Sequence, residues 1–279
     1  MEIPRIKSPL RYPGGKTRAL KQILPIIPSF KEFREPMVGG GSVFFALNQL
    51  NPECKFWIND INKELFLLWK YCKENPEELV RGVIRFKENY ENGRNLYSYL
   101  LDTSNNFSDI QRAIRFFILN RITFSGLAES GGYSAKAFEG RFTDSSINRL
   151  EIASSVLKNT KVTSEDFENI INAPGEDVFL FLDPPYLSKS KSKLYGKKGE
   201  LHKGFDHKRF ANIMEKCQHK WLITYDDCEE IRKLFNFTPY IYKWKLQYGM
   251  NNFKQKTAAK GNELFISNYE IPALKDFQI

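Results

Sequence analysis

Cysteine and histidine are scarce in this 279-residue chain, which has four Cys and three His. Cys54, Cys72, Cys217 and Cys228 form no C-x-x-C, and His202, His207 and His219 complete no zinc-ligand spacing, so no metal is expected. Each thiol reads as a small buried hydrophobe in a reducing compartment. No stretch reaches the ~18 consecutive apolar residues of a membrane span. The N-terminal MEIPRIKSPLRYPGGK has no apolar core of a secretory signal. Internal repeats and low-complexity linkers are missing too. Together these absences exclude disulfide scaffolds, zinc modules and membrane proteins, and the expected location is cytoplasmic.

Acidic charge is also in deficit, with 33 Asp and Glu against 42 Lys and Arg and a net charge of +9. A basic excess of this size suits a polyanionic partner, of which nucleic acid is the commonest. Aromatic residues are plentiful, with 23 Phe and 13 Tyr, more flat surface than a core alone requires.

Strand and helix patterns alternate at both ends of the chain. Short strands are predicted at Phe33 to Met37, Cys54 to Ile58, Lys161 to Thr163, Asp177 to Leu182 and Trp221 to Tyr225. Pro239 to Tyr248 and Glu263 to Tyr269 read as a closing antiparallel pair. Helices are predicted over Ser42 to Leu50, Ile61 to Lys73 and Asp227 to Phe235. The span from Pro76 to Phe124 reads as helical throughout, and a Gly- and Ser-rich section follows to Ser146. The expectation is an α/β sheet domain built from residues 1–65 and 150–279, interrupted by a mainly helical insert over 66–149.

Three motifs carry chemistry. The apolar run ending in Asp183-Pro184-Pro185-Tyr186 delivers a carboxylate to the carboxyl end of the sheet, where open α/β folds bind ligands. The prolines stiffen the backbone and leave their carbonyls free to accept hydrogen bonds. A carboxylate, a carbonyl and an aromatic ring together fit a planar heterocycle bearing an amine. Two fixed acceptors stabilise the positive charge that develops when such an amine attacks a methyl sulfonium. Only the face of Tyr186 is given a role, so Tyr186→Phe is expected to be tolerated.

The second motif, Glu35-Pro36-Met37-Val38-Gly39-Gly40-Gly41-Ser42, joins a strand to a helix through three glycines. Such a turn admits a ligand close to the backbone and to helix N-terminal amides. Asp60 lies 19 residues after Gly41, at the end of the next strand, and is placed to bind ribose hydroxyls. The third motif, Arg11-Tyr12-Pro13-Gly14-Gly15-Lys16-Thr17, carries Leu10 where a phosphate loop needs its first Gly, and no strand precedes it. It reads as a Gly turn presenting Tyr12 and Lys16 to a small anionic ligand.

In this order the three motifs resemble the Dam-type (D12 class, class alpha) DNA adenine-N6 methyltransferases, as do Asn59-Asp60, Asp166-Phe167 and the closing Asn-Glu-Leu-Phe-Ile-Ser-Asn-Tyr at 262–269. The resemblance spans nearly the whole chain. It implies a Rossmann-like fold dependent on S-adenosylmethionine, methyl transfer to adenine N6 in double-stranded DNA by base flipping, and a monomer of a prokaryotic cell or phage. A restriction endonuclease encoded nearby is an implied partner. Cofactor contacts are implied for Tyr12, Lys16, Gly39, Gly41, Asp60, Asp166, Phe167 and Asp183. Asp183 and Pro184 are implied on the target amine, and Tyr186 against the target ring. Met37 departs from the family, which usually has an aromatic residue there.

The recognition region is implied to be the insert, with Arg121 and Tyr133 expected at DNA. Relatives specific for GATC carry Asn-Gly-Leu followed closely by Arg. Here Ser125-Gly126-Leu127 leads to Ala128-Glu129-Ser130, so that specificity is not carried over. Residues 188–204 hold six Lys against one Glu, and Lys189, Lys191, Lys193, Lys197 and Lys198 are expected at phosphates. The basic, aromatic-rich stretch 243–260 suits the same surface. An RNA adenine methyltransferase and a non-catalytic DNA-binding module are the alternatives the residues leave open.

Overall fold

The computed structural model describes residues 5–102, 104–128, 130–187, 204–247 and 260–279. A seven-stranded sheet forms its centre, in the order β3-β2-β1-β4-β5-β7-β6. The strands are β1 (Glu32–Glu35), β2 (Lys55–Asn59), β3 (Thr160–Thr163), β4 (Val178–Leu182), β5 (Lys220–Asp226), β6 (Ile241–Gln247) and β7 (Lys260–Ser267). The pairs among β1 to β5 are parallel, while β7 runs antiparallel between β5 and β6. The chain is thus a Rossmann-like α/β fold with a closing antiparallel pair. Strand order reverses between β1 and β4, and ligands of open α/β sheets bind at that point, beyond the strands' carboxyl ends.

The helices are α1 (Leu20–Ile23), α2 (Ser42–Leu50), α3 (Lys63–Glu74), α4 (Pro76–Asn89), α5 (Gly93–Leu101), α6 (Asp109–Ile122), α7 (Ala135–Arg141), α8 (Asp144–Leu157), α9 (Phe167–Asn172), α10 (His207–Lys216) and α11 (Glu229–Leu234). No described helix is long and apolar enough to cross a membrane.

Period-two alternation divides the core between the two faces of the sheet. Phe179 and Phe181 of β4 join Phe33, Phe56 and Leu222 on one face. Val178, Leu180 and Leu182 join Trp221, Ile223 and Tyr225 on the other. All five β4 side chains are buried, as expected of a parallel strand covered on both sides. The first cluster continues without a break into the helices, through Leu65, Trp69, Leu79, Leu96, Phe117 and Leu150.

Arg34, alternating with Phe33, is buried and faces α9. Its guanidinium donates to the carbonyls of Ile170, Ala173 and Pro174 and pairs with Glu32. A cation on the last carbonyls of a helix satisfies acceptors that the helix leaves open. It also ties α9, and with it Asp166 and Phe167, to the middle of the sheet.

The structure departs from the predicted elements in the Gly- and Ser-rich section, where α7 and the start of α8 lie. Ser134 accepts from the amide of Ala137, and Thr143 and Ser146 form a capping box on α8. The serines that obscured helical periodicity serve as caps, because short hydroxyl side chains satisfy the first free amides of a helix. α9 and α10 were likewise not predicted. Each is capped by an Asp, Asp166 or Asp206, whose carboxylate accepts from amides of the first turn.

Candidate active site

Four strand ends converge on one cavity of about 610 Å³. β1 leads to the glycine turn, β2 to Asp60, β3 to Asp166 and Phe167, and β4 to Asp183 through Tyr186. All of these line the cavity, together with Tyr12 and Lys16 from the N-terminal segment. The volume lies within the usual range of small-molecule pockets.

Gly39 and Gly41 both have positive φ, at 48° and 68°. A side chain at Gly39 or Gly40 would strike the ring or Cβ of Tyr12, so the group packed closely on this backbone is the Tyr12 side chain. Gly41 caps α2 with no side-chain bond to the helix amides. Glu35, fully buried, accepts from the Phe44 amide of the same helix. Burial pushes the Glu35 carboxyl well above the ordinary carboxylate range, and the carboxylates of Asp183 and Asp60 add to this, against opposing pulls from the Phe44 amide and Lys16.

Asp60 is oriented by two backbone bonds. Oδ2 accepts from Gly39 at 2.9 Å and Oδ1 from Asn62 at 2.9 Å. Beyond β3, Asp166 receives a bidentate pair from Arg209 at 2.7 and 2.9 Å. Arg209 also bonds Glu168 and lies 4.9 Å over the Phe167 ring. The Arg209 hydrogen bonds lower the Asp166 pKa against partial burial.

Lys16 is buried, and its ammonium donates to both oxygens of Asp183 at 2.6 Å and to the Gly14 carbonyl. It also lies 5.1 Å from the Tyr186 ring centroid. Thr224 on β5 donates to Asp183 Oδ1 at 2.7 Å. Tyr186 is buried, and its hydroxyl donates to Glu263 Oε2 at 2.8 Å. The hydroxyl that the sequence reading left idle therefore has a partner, and Tyr186→Phe would remove it. Met37 lines the cavity and packs against the second core cluster.

The expected DNA contacts fare unevenly. Arg121 is buried, with its guanidinium bonded to the Pro9 carbonyl and Asn120. Burial, followed by repulsion from Arg11, Arg149 and Arg141, lowers its pKa. Arg121 is expected at DNA, but in this structure α6 turns it inward, where it holds the N-terminal segment. Tyr133 is half-buried beneath Arg94 and beside Tyr97. Lys189, Lys191, Lys193, Lys197 and Lys198 lie outside the described residues.

Phe124, between α6 and α7, is 61% exposed. It stands on a turn in which Ser125 and Gly126 both have positive φ, at 56° and 75°. That turn abuts the Arg11 backbone, next to Tyr12 of the cavity, and Asn120 bonds both Arg11 and Gly126. Sequence reasoning missed Phe124, Arg209, Thr224 and the role of Glu263. Glu263 alone left a signal, as an acidic residue directly before the apolar run Leu264–Ile266 in the closing motif.

Comparison with known proteins agrees with this geometry. The chain is 28% identical to the type II methyltransferase M1.LlaDCHI of Lactococcus lactis subsp. cremoris, over 93% of this chain and 94% of that one. It is 28% identical to the type II methyltransferase M.MjaIII of Methanocaldococcus jannaschii, over 68% of this chain and 72% of that one. With a DNA adenine methylase of Vibrio cholerae it shares 26%, over 81% and 83%. Residues 12–250, containing every cavity segment from Tyr12 to Tyr186, match one family, and the chain belongs to it: the D12 class N6 adenine-specific DNA methyltransferases.

Proposed function

We propose that this enzyme transfers the methyl group of S-adenosylmethionine to the N6 amine of an adenine rotated out of duplex DNA. The observation that carries this reading is the single cavity shared by the Asp183–Tyr186 turn and the Gly39–Gly41 turn. The cofactor would supply an electrophilic methyl on a sulfonium. The residues present suit it. Asp60 would take ribose hydroxyls, with its carboxylate oriented by the amides of Gly39 and Asn62 at the cavity wall. Phe167 and Asp166 would border the cofactor's adenine, and the glycine turn with the open α2 amides would receive its polar tail.

Asp183 and the Pro184 carbonyl would accept from the target amine, and Tyr186 would lie against the target ring. Acceptors already in place favour the charge that develops on nitrogen without reorganising in the reaction. Lys16 and Thr224 hold the carboxylate in position. Tyr12 packs against the glycine turn at the wall of the same cavity.

Extruding a base costs roughly a few kcal/mol. An exposed aromatic such as Phe124, on a turn braced by Asn120, is suited to filling the vacated stack. Residues 66–149 would read the target sequence, and the 188–204 lysines would follow the phosphates. The names of the type II relatives suggest a restriction endonuclease as companion.

The test is long-read mapping of modified bases in DNA from cells expressing this chain or its Asp183→Ala variant. N6-methyladenine in a defined context is expected for the chain, and none for the variant, which should still bind DNA. Methylcytosine, or adenine methylation that survives the variant, would overturn the reading.

A further inference from the structure

In the middle of β7, Leu264, Phe265 and Ile266 are all buried, and Glu263, just before them, likewise has no solvent exposure. A carboxylate withdrawn from water is unfavourable unless charges or hydrogen bonds compensate. A leucine there would pack without that penalty. The carboxylate therefore has a use, and its described bond is to the Tyr186 hydroxyl.

Directly across the ladder, Glu263 pairs with Asp226 of β5. Asp226 Oδ1 accepts the amide of Leu187, the residue after Tyr186, at 3.2 Å. Two carboxylates from facing positions on neighbouring strands thus grip successive residues of one turn. The Tyr186 ring is fixed at its base by the proline turn and at its far end by Glu263. Behind it, Tyr225 lies at a centroid distance of 6.1 Å.

We propose that Glu263 is a positioning residue for methyl transfer, setting the plane of the Tyr186 ring and, through it, the pose of the target base. This rests on the reading of Tyr186 as the residue that meets the base. Without its anchor the ring can pivot about its side-chain torsions, and a misplacement of about 1 Å can lower a rate by on the order of 100-fold. Cofactor affinity should be untouched, because the cofactor contacts proposed at Asp60, Asp166 and the glycine turn follow β2, β3 and β1, whereas Glu263 stands on β7, beyond β4 and β5 in the sheet.

The experiment compares Tyr186→Phe, Glu263→Leu, Glu263→Gln and the Tyr186→Phe/Glu263→Leu pair. It measures single-turnover transfer from tritiated S-adenosylmethionine to duplex DNA lacking adenine methylation, cofactor affinity by calorimetry, and melting temperature. Tyr186→Phe and Glu263→Leu should each slow transfer by roughly 10- to 100-fold at unchanged cofactor affinity. The double variant should be no slower than the worse single, and Glu263→Gln, which keeps an acceptor, should recover most of the rate. Losses that multiply in the double variant would overturn the inference. If Glu263→Leu does not fold, Tyr186→Phe decides alone, and a wild-type rate there overturns it. Tyr186→Ala separates the two levels. Full activity in that variant removes the underlying reading, whereas an inactive Tyr186→Ala beside a fully active Tyr186→Phe removes only the part given to Glu263.

Discussion

Lys16 and Asp183, 167 residues apart in sequence, meet with the ammonium 2.6 Å from each carboxylate oxygen. The pair is largely withdrawn from solvent, with side-chain exposures of 5% and 21%. Each charge makes the burial of the other tolerable. The bond also joins the N-terminal Gly turn to the end of β4.

Removing one member of a buried pair leaves the other uncompensated, at a cost of roughly 3–5 kcal/mol. Lys16→Met is therefore expected to lower the melting temperature and to reduce methyl transfer by two orders of magnitude or more, read by tritium incorporation into DNA. Wild-type transfer in this variant would show that the Asp183 orientation is set by Thr224 alone.

Arg209 holds Asp166 and covers Phe167 from a half-exposed position. Arg209→Ala should raise the KM for S-adenosylmethionine several-fold and leave kcat nearly unchanged, because it acts on the end of the cavity proposed for the cofactor. Steady-state kinetics with the DNA saturating would check this. A fall in kcat at constant KM would instead place Arg209 on the chemical step.

Arg121 should behave as a structural residue. Arg121→Met removes charge-assisted bonds worth about 2 kcal/mol and should lower the melting temperature. The slope of DNA affinity against salt should stay unchanged, since no phosphate contact is lost. A slope reduced by about one contact would restore Arg121 to the DNA interface.

His207 opens α10, with Nδ1 2.6 Å from the Tyr225 hydroxyl behind Tyr186. Burial lowers its pKa from the ordinary 6.5, against opposing pulls from Asp226 and Asp206. In the interval below 6.5 the unfolded chain binds a proton that the folded chain does not. Stability from this group is present above pH 6.5, declines as the pH falls through that value, and levels off below the folded pKa. Melting curves from pH 7.5 to 5.5 should show a smaller acid loss for His207→Asn than for the parent chain.

The strand order and its reversal between β1 and β4 came only with the fold, whereas the seven strands and the segments bearing Tyr12, the glycines, Asp60 and Asp183 could all be read from the chain itself. Local patterning is enough for these. A continuous apolar run such as Val178–Leu182 is buried in any sheet that holds it, and residues following a parallel strand emerge at its carboxyl end. The resemblance of the ordered motifs then named the chemistry, and the family match over residues 12–250 agrees with it.

What sequence could not supply were the partners of those residues. The sequence put Lys16 at the ligand site without showing that it pairs with Asp183, and put Arg121 at DNA without showing that α6 turns it toward Pro9 and Asn120. Thr224 and Arg209 belong to elements that no motif spans, and the closing motif at 262–269 contains Glu263 without naming its partner. Their contacts depend on strand order, on the α9 and α10 packing, and on the pairing of β5 with β7. Such contacts join residues tens to hundreds of positions apart, and a charged side chain carries no sequence sign of which opposite charge it will face. The identities of the reacting groups are local properties of this chain, whereas their orientation arises only when the sheet brings them together.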